Sequence, residues 1–418
     1  MSSFIKIKIT FLSLVFTCLS IFTQSQSVGD TFPMWQEGYL DIHAINTGKG
    51  ECTFFILPDG TTILVDAGAV LTPPPRSIAR PDGTRTPGEW ISRYILHMLQ
   101  PLPEKKLDYI IISHFHWDHM GGISKELKMS ESGNYILSGI TEVGENVIFD
   151  KVIDRNWPDY NWPEPLIDEK IMNYRKFLRW NVENKNVVVE QFNPGRNDQI
   201  ILMNNPDLYP DFEVRNIAAN GYVWTGIGSK ARNNFPELKD IGGKDYPLEN
   251  NLSIVFRLSY GDFDYFTGGD ISFRGAEYGN LVNQWKNIEN PVALVTGPID
   301  VLKANHHANY DSNSSFFLSI LRPRVIVIQS WLANQPAFST WRRMISKDIY
   351  PGPCDIFCTN MHEANKIVMG AEIDMMKSQQ GHIVIRVKPG GKSYLIYILD
   401  DSDESFTIKA VHGPYKSQ

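Results

Sequence analysis

Short apolar runs recur along the chain, and most of them end in polar or turn-forming residues. Residues 107–113 are nearly all apolar, which predicts a buried strand, and Leu40, Ile42 and Ala44 alternate as on one face of a strand. A turn-like Ser-Tyr-Gly-Asp break separates two further runs, which predicts a β-hairpin. The hairpin covers 252–258 and 263–267, and the other predicted strands cover 325–329, 356–358, 383–387 and 394–399.

Helical segments are predicted between these runs. The sequence favours helices over 87–99, 171–185 and 341–347, and Ser312-Asn-Ser-Ser315 can cap a helix that reaches Leu321. After the small-residue turn at Gly121-Gly122, a helix is expected to begin near Ser124. Strands that alternate with helices in this way are typical of the α/β class.

The N-terminus has the pattern of a secretory signal peptide. Lys6 and Lys8 precede an apolar stretch over 9–22, and small or polar residues follow it. The stretch is shorter than the roughly 20 residues that a membrane-spanning helix needs. A cleaved signal peptide over 1–27 is therefore favoured over a membrane anchor, and we expect a secreted or periplasmic protein with no transmembrane segment in its mature part.

The remaining chain, 28–418, is long enough for one large domain. The composition of the full sequence is that of an ordinary globular protein, with 42% hydrophobic and 21% charged residues. A net charge of −7 argues against a dedicated nucleic-acid-binding protein, which normally has a basic surface. Residues 136–250 differ from their surroundings in their aromatic and loop-rich sequence, and we interpret them as an elaboration inserted into the domain that roofs the active site.

Four residues of metal-ligand type follow the predicted strand 107–113 directly. They are His114, His116, Asp118 and His119. Imidazole nitrogen and carboxylate oxygen are the atoms with which Zn²⁺ and similar borderline metals are bound in proteins. A strand that ends in this sequence brings these side chains together at one edge of a sheet, so the pattern predicts a metal centre there.

The spacing His-x-His-x-Asp-His resembles the metal-binding motif of the metallo-β-lactamase superfamily. Thr62-Ile-Leu-Val-Asp66-Ala-Gly68 is similar to the superfamily's first motif, and Tyr265-Phe-Thr-Gly-Gly-Asp270 is similar to the strand that delivers its bridging aspartate. Val301-Leu-Lys-Ala-Asn-His306-His307 looks like the strand end that carries the last histidine ligand. The resemblance implies a four-layer αββα sandwich.

Within the superfamily, the chain resembles the secreted hydrolase domains of DNA-uptake competence proteins and the phosphorylcholine esterases. The segment Ile45-Asn-Thr-Gly-Lys-Gly-Glu51, the Pro58-Asp-Gly60 turn and the His-His pair after a Leu-Lys strand carry this similarity. It implies a metal-dependent hydrolase of phosphodiester or related ester bonds in a small-molecule or polymer substrate, acting through a metal-activated water. Hydrolysis of lactones or amides (β-lactams included), iron-dependent oxidation of a small thiol and a binding-only role stay open as alternatives.

The resemblance also implies roles for individual residues. Asp118 is expected to be catalytic and to orient the water, whereas Asp66 and His306 are expected to contact ligands without binding metal themselves. Asp66 should accept a hydrogen bond from a ligand histidine, and His116 is the expected donor. His307 is preferred to His306 as a ligand because the small Ala308 follows it. The implied metal ligands are His114, His116, Asp118, His119, Asp270 and His307.

One departure from the family pattern concerns the number of ligands. The superfamily usually supplies a further histidine before the bridging aspartate, but this chain has no histidine between His119 and His306. The first metal position is thereby left with His114, His116 and Asp270, so that water or another carboxylate completes it, or the centre holds a single ion. One or two zinc ions are expected, with manganese or iron as alternatives; the sequence leaves the oligomeric state open.

Three cysteines follow the predicted signal peptide: Cys52, Cys354 and Cys358. In an oxidising compartment the last two can form a disulfide, which would leave one thiol free.

Overall fold

The computed structural model describes residues 27–274 and 283–418, so the predicted signal peptide lies outside the described residues except for its last position. Within them, strands are β1 (Leu40–Ala44), β2 (Thr53–Ile56), β3 (Thr62–Val65), β4 (Lys106–Ile111), β5 (Ile148–Asp154), β6 (Val188–Gln191), β7 (Phe212–Ala219), β8 (Tyr222–Trp224), β9 (Ala231–Asn233), β10 (Val255–Tyr260), β11 (Phe263–Thr267), β12 (Val301–Lys303), β13 (Val325–Ile328), β14 (Asp355–Cys358), β15 (His382–Val387), β16 (Ser393–Leu399) and β17 (Ile408–Lys416).

The helices of the same residues are α1 (Pro87–Met98), α2 (Trp117–Met120), α3 (Ile140–Asn146), α4 (Glu169–Lys185), α5 (Glu289–Thr296), α6 (Ser315–Leu321), α7 (Phe338–Ile345) and α8 (Glu363–Met369). None of them has the length and apolar character that crossing a membrane requires.

The described strands form two mixed sheets. The first has the order β17-β16-β15-β1-β2-β3-β4-β5-β6, and the second has the order β14-β13-β12-β11-β10-β7-β8-β9. Strands β3 to β6 run parallel in the first sheet, and β11 to β14 run parallel in the second. Each parallel set therefore presents its carboxyl ends at one edge.

The two sheets pack face to face, and helices cover their outer faces. On β2 the alternation of side chains shows this directly: Phe55 points into the core between the sheets, where its ring centroid lies 5.6 Å from that of Tyr265, while Phe54 belongs to the core under the helices α1 and α4. A third core packs α5, α6 and α7 on the second sheet, with Phe266 in contact with Phe317. The predicted four-layer αββα sandwich is confirmed.

Most of the predicted elements occur in the structure. The helix predicted over 87–99 is α1, and the helix capped near Ser314 is α6, in which the Ser314 side chain accepts a hydrogen bond from the Phe317 N–H. The helix expected near Ser124 is wrong: after α2 the chain runs through turns until α3. Strand β17 was not predicted, because its half-exposed, charged sequence lacks the apolar pattern of the other strands.

Residues 136–250 contribute directly to both sheets. They supply β5 and β6 to the first sheet and β7 to the second, where β7 pairs with β10. The aromatic loops of this segment follow the carboxyl ends of β5 and β6.

The two C-terminal cysteines are free thiols in the structure. Cys354 directly precedes β14 and Cys358 ends it, so an extended chain separates them. Four residues of strand span roughly 13 Å, whereas a disulfide needs its Cα atoms within about 7 Å of each other. A bond between Cys354 and Cys358 is therefore excluded by the geometry of this strand.

Asp300, which precedes β12, is fully buried and makes the stability depend on pH. Its carboxylate accepts hydrogen bonds from the backbone N–H groups of Asp264 and Gln418, at 3.0 and 3.2 Å, and burial raises its pKa to about 7. The folded protein therefore holds a proton there at pH values where the unfolded chain has lost it. Stability from this group is present in acid and is lost as the pH rises through about 7.

We expect the free energy of unfolding to fall by roughly 2 kcal/mol between pH 5 and pH 8 because of this group. Chemical denaturation across this range should show a flatter pH dependence for Asp300→Asn than for the wild type. Asp262→Asn, in an exposed turn, serves as the control and should keep the wild-type slope. An unchanged slope in Asp300→Asn would contradict the assignment.

Candidate metal centre

The predicted ligands all follow the carboxyl ends of parallel strands. Residues 114–119 follow β4, Asp270 follows β11, and the pair His306 and His307 follows β12. In sheets of this kind the loops beyond the carboxyl ends of the strands are the usual position of a site. Ligands from both sheets therefore meet at the edge where the two parallel sets end.

Two glycines allow the loop 114–119 to approach the first sheet closely. A Cβ atom on Gly50 would lie 2.5 Å from the Asp118 carbonyl oxygen, and one on Gly68 would lie 2.0 Å from it. The same oxygen accepts a hydrogen bond of 2.8 Å from the Glu51 N–H, and the His119 oxygen accepts one of 2.7 Å from Ala67. The backbone of the motif is thus fixed against the loops after β1 and β3.

A first group of side chains surrounds Oδ2 of Asp270. Nε2 of His114 lies 3.8 Å from this oxygen and 3.0 Å from Nδ1 of His116. Nε2 of His306 also lies 3.8 Å from the same oxygen. We call this group, His114, His116, His306 and Asp270, the first position.

A second group shares the same aspartate. Nε2 of His119 lies 3.3 Å from Oδ1 of Asp270, and Nε2 of His307 lies 3.6 Å from Oδ2 of Asp270 and 3.1 Å from Oδ2 of Asp118. We call Asp118, His119, His307 and Asp270 the second position. All six predicted ligands therefore converge, with Asp270 between the two positions.

Two distances of the second position match those expected around a divalent cation. Two atoms bound at about 2.0–2.2 Å to a tetrahedral ion lie roughly 3.3–3.6 Å apart. Nε2 of His119 and Oδ1 of Asp270 face each other within this range, yet both are buried and neither makes a hydrogen bond among the described residues. Buried polar atoms are rarely left without partners, and an ion between these two would satisfy both.

The electrostatics of the site favour a cation as well. Burial lowers the pKa of His114 and of His116, which keeps these imidazoles in the neutral form that binds metal. Burial alone would raise the pKa of Asp270, but the neighbouring imidazoles of His119, His307 and His306 outweigh it and lower that pKa. Burial opposes protonation of His119, but Asp270, Asp66 and Asp118 outweigh it and raise its pKa. Several buried carboxylates thus need positive charge beside them.

Asp66 holds a ligand histidine, but not the one expected. Its Oδ2 accepts a hydrogen bond of 2.8 Å from Nδ1 of His119, whereas His116 has no contact with it among the described residues. Ser113 fixes the carboxylate by donating from its N–H (2.8 Å) and its Oγ (2.6 Å). With φ of 61°, Asp66 itself lies in the left-handed region, where a non-glycine residue is strained.

Replacing Asp66 with alanine should weaken metal binding about 10- to 100-fold, because the His119 ring loses the acceptor that fixes its orientation. Competition with a chromophoric chelator measures this affinity. Asp108→Ala is the matched control: that carboxylate is also buried and accepts from Thr62, but it lies at the opposite end of the strands. A loss of affinity in both variants would show a general effect of destabilisation instead.

The backbone of the histidine pair is strained. His306, His307 and Ala308 have φ values of 47°, 51° and 61°, so three successive non-glycine residues are left-handed. Each such residue costs on the order of 1 kcal/mol, and such strain persists where surrounding structure imposes it. Nδ1 of His306 contacts Asp311 at 2.7 Å and Nδ1 of His307 contacts the Gln329 carbonyl at 2.8 Å, which aims both Nε2 atoms at Asp270.

Sequence reasoning did not single out several residues of the site. Glu51 lies within 4.8 Å of the ligand atoms of His119, Asp270 and His307, and its Oε2 is 2.6 Å from Nζ of Lys303. Burial raises the pKa of the Glu51 carboxyl, and the lysine opposes this shift. Glu51 ends the segment 45–51 that carries the family resemblance, but only the fold shows that its carboxylate lies close to His119, Asp270 and His307.

A buried ion pair supports the loop from the other side. The Glu249 carboxylate accepts from the Phe115 N–H at 2.8 Å and from two nitrogens of Arg155 at 2.9 and 2.6 Å. Arg155 is fully buried and also donates to Asn220 at 3.1 Å. Phe115 lies between the candidate ligands His114 and His116, so the ion pair of Arg155 and Glu249 fixes the backbone of the first position.

Part of the chain matches a known protein family. The sequence model of the metallo-beta-lactamase superfamily matches residues 47–128, which include Asp66 and the motif 114–119. No curated protein matches the sequence. A solved structure from Parabacteroides distasonis ATCC 8503, named as a candidate metal-dependent hydrolase, is 13% identical, with a TM-score of 0.37; the alignment covers 78% of this chain and 97% of that one. Residues 47–128 are thus similar to the metallo-beta-lactamase superfamily, and they lie in a fold of two mixed sheets whose loops bring the candidate metal ligands together.

Proposed function

We propose that this protein is a secreted hydrolase of phosphodiester or related ester bonds. Its centre would hold two divalent cations, with zinc as the favoured metal. The observation that carries the proposal is the position of Asp270 between two groups of ligands. Paired cations about 3.5–4 Å apart are typical of enzymes that cleave phosphate esters. Secretion is supported by the sequence of residues 1–27.

His306 completes the first position in this proposal. The superfamily's usual middle histidine is missing, and Nε2 of His306 lies as far from Oδ2 of Asp270 as Nε2 of His114 does, at 3.8 Å. Three imidazoles and the shared carboxylate then hold the first cation. His307 stays with Asp118 and His119 around the second.

Bound cations supply Lewis acidity for the phosphoryl oxygen and lower the pKa of a water molecule. Asp118 positions that water. Its carboxylate accepts from Nε1 of Trp331 at 3.1 Å and contacts Nε2 of His307 at 3.1 Å, which fixes the plane of the group. Burial would raise its pKa, but the imidazoles of His119 and His307 outweigh it and lower that pKa, so the carboxylate stays ionised and can accept a hydrogen bond from the water.

The substrate approaches from the side of the motif that faces solvent. His116, Asp118 and His306 are partly accessible, and Trp117 is 55% exposed, whereas His114, His119 and His307 are buried. An exposed indole beside the ligands offers an apolar surface to a leaving group or to another part of a polymer substrate.

The proposal is tested with the purified mature protein, loaded with zinc or manganese or depleted of metal. We expect metal-dependent hydrolysis of bis-p-nitrophenyl phosphate, with a phosphorylcholine ester as the second substrate and nitrocefin as the third. Metal analysis should give two ions per chain in the wild type and one in His306→Ala.

Faster turnover of nitrocefin than of either phosphate ester would overturn the substrate class in favour of lactone or amide hydrolysis. A single bound iron, or a wild type that binds no metal, would overturn the proposal as a whole.

A further inference from the structure

A large cavity lies between the loops that follow β5 and β6 and the hairpin of β7 and β8. Its volume is about 590 Å³, within the range of cavities that hold small organic ligands. Four aromatic side chains line it: Trp157, Trp162, Phe192 and Tyr222. The tyrosine is 47% exposed, and Trp162 stacks on Phe235 with an angle of 12° between the rings, which fixes its orientation.

Amide side chains supply fixed acceptors in the same cavity. Asn156 donates from Nδ2 to the Trp162 carbonyl at 3.2 Å, Gln191 donates to the Arg155 carbonyl at 3.1 Å, and Asn193 donates to the Gln191 carbonyl at 2.9 Å. These bonds hold each amide group, while its side-chain oxygen has no partner among the described residues. Three oriented acceptors therefore remain available to a ligand.

The two indoles add donors. Nε1 of Trp157 and Nε1 of Trp162 make no hydrogen bond within residues 27–274 and 283–418, and neither atom is among the buried polar atoms that lack a partner. Both N–H groups are thus accessible. Each indole offers a flat apolar face with a polar edge.

The charges of the residues that line the cavity exclude an anionic group as the ligand bound inside it. No lysine, arginine or histidine is among the described residues that line the cavity, and Asp159 is its only charged side chain. Its carboxylate accepts from the amide of Asn161. A phosphate group would meet no cation here and would remain at the metal centre.

The combination of flat aromatic faces, amide oxygens and indole N–H groups matches a sugar. The C–H face of a pyranose ring packs on an indole, and its hydroxyl groups both donate and accept, so they use the fixed acceptors and the free donors together. A quaternary ammonium group would also bind aromatic faces. It can neither donate nor accept a hydrogen bond, so five oriented polar groups would lose solvent without a partner.

The cavity is connected to the metal centre through a short chain of contacts. Asn220 lines it and exchanges two hydrogen bonds with Arg155, one to the guanidinium at 3.1 Å and one to the carbonyl at 2.5 Å. Arg155 binds Glu249, which holds the backbone between two ligands of the first position. A ligand in the cavity would therefore contact Asn220, whose hydrogen bonds lead through Arg155 and Glu249 to the backbone beside His116.

We propose that this cavity is a saccharide subsite, which binds the uncharged glycosyl part of a substrate while the ester group lies at the metal centre. The substrate would then be a glycan that carries a phosphodiester or related ester. The placement of the ester rests on the proposed function, whereas sugar binding in the cavity does not depend on it.

The test measures binding, with the purified protein as it is isolated. Isothermal titration with chitotetraose, cellotetraose and maltotetraose should show a dissociation constant of about 1 mM or lower for at least one of them. Trp157→Ala and Tyr222→Ala should each weaken that binding about tenfold or more, because each removes a stacking face. Trp90→Ala, a half-exposed indole on α1, is the control and should bind as the wild type does.

Bound metal should be unchanged in the two cavity variants, and thermal unfolding is measured beside it, because Trp157 also packs against the core under the helices. A folded variant that keeps its metal and loses sugar binding separates lost sugar contacts from lost folding. Hydrolysis of bis-p-nitrophenyl phosphate, which has no sugar, should also be unchanged in both variants. If the wild type hydrolyses this ester but binds none of the three tetraoses, the subsite is refuted and the hydrolase stands. If it binds a tetraose but hydrolyses no ester, the proposed function fails alone. If the protein binds tetramethylammonium chloride but none of the three tetraoses, the cavity would be assigned to a cationic group instead.

Discussion

Replacing Asp118 with asparagine is expected to lower kcat/KM for bis-p-nitrophenyl phosphate about 10³-fold or more. In the proposed function the carboxylate is both a ligand of the second position and the acceptor that orients the attacking water, and an amide has neither the charge nor the second acceptor oxygen. Trp331 and His307 fix one of its oxygens, so the group that remains after substitution is held in the same place. The substitution therefore removes the charge of the side chain and leaves its shape nearly unchanged.

Kinetics must be combined with metal analysis to identify this role. A variant that keeps both ions and loses turnover shows that Asp118 acts on the water, and one that loses an ion shows that it acts chiefly as a ligand. Asp108→Asn, at the far end of the strands, controls for the loss of a buried carboxylate. Wild-type turnover in Asp118→Asn would remove the residue from the mechanism.

Breaking the buried ion pair should have the largest effect on stability. Arg155→Met leaves the Glu249 carboxylate without its guanidinium, in a place where the two side chains are 0% and 17% exposed. Removing one partner of such a pair costs about 3 kcal/mol or more. We expect a corresponding drop in the free energy of unfolding, and weaker metal binding at the first position, because the Phe115 backbone loses its support.

The double variant Arg155→Met with Glu249→Gln tests the cause. Glutamine keeps an oxygen for the Phe115 N–H but carries no charge, so part of the lost stability should return. The bidentate pair of Arg196 and Asp198 has the same chemistry on the surface, with side chains 49% and 63% exposed. Arg196→Met should leave the melting temperature unchanged within error, since exposed pairs contribute little. Equal losses in the buried and exposed variants would contradict the argument.

The sequence was sufficient to predict the fold class and the convergence of the six expected ligands. Strands buried on both faces appear as continuous apolar runs, and ligands that follow such runs must meet where parallel strands end. The resemblance supplied the order of the motifs and the layer arrangement.

Other features depend on contacts between distant segments, which no local pattern records. Arg155 and Glu249 come together only because β5 and the loop before β10 end at the same edge. The partner of Asp66 is His119 and not His116, because the short helix α2 turns His119 back toward β3. The left-handed turn at His306 and His307 gives no signal in residue type, since neither position is glycine.

The first sheet has a consequence for the synthesis of this chain. In that sheet β1 pairs with β15, and Leu40 lies opposite Val387. One edge of β1 therefore stays unpaired until β15 has been synthesised. At about 5–20 residues per second, roughly 20 to 70 s pass between the synthesis of the two strands. During this time one edge of β1 has no partner strand, and unpaired strand edges are prone to pair with other chains. The first sheet can therefore be completed only after β15, β16 and β17 have been synthesised, although β1 to β6 are available to pair much earlier.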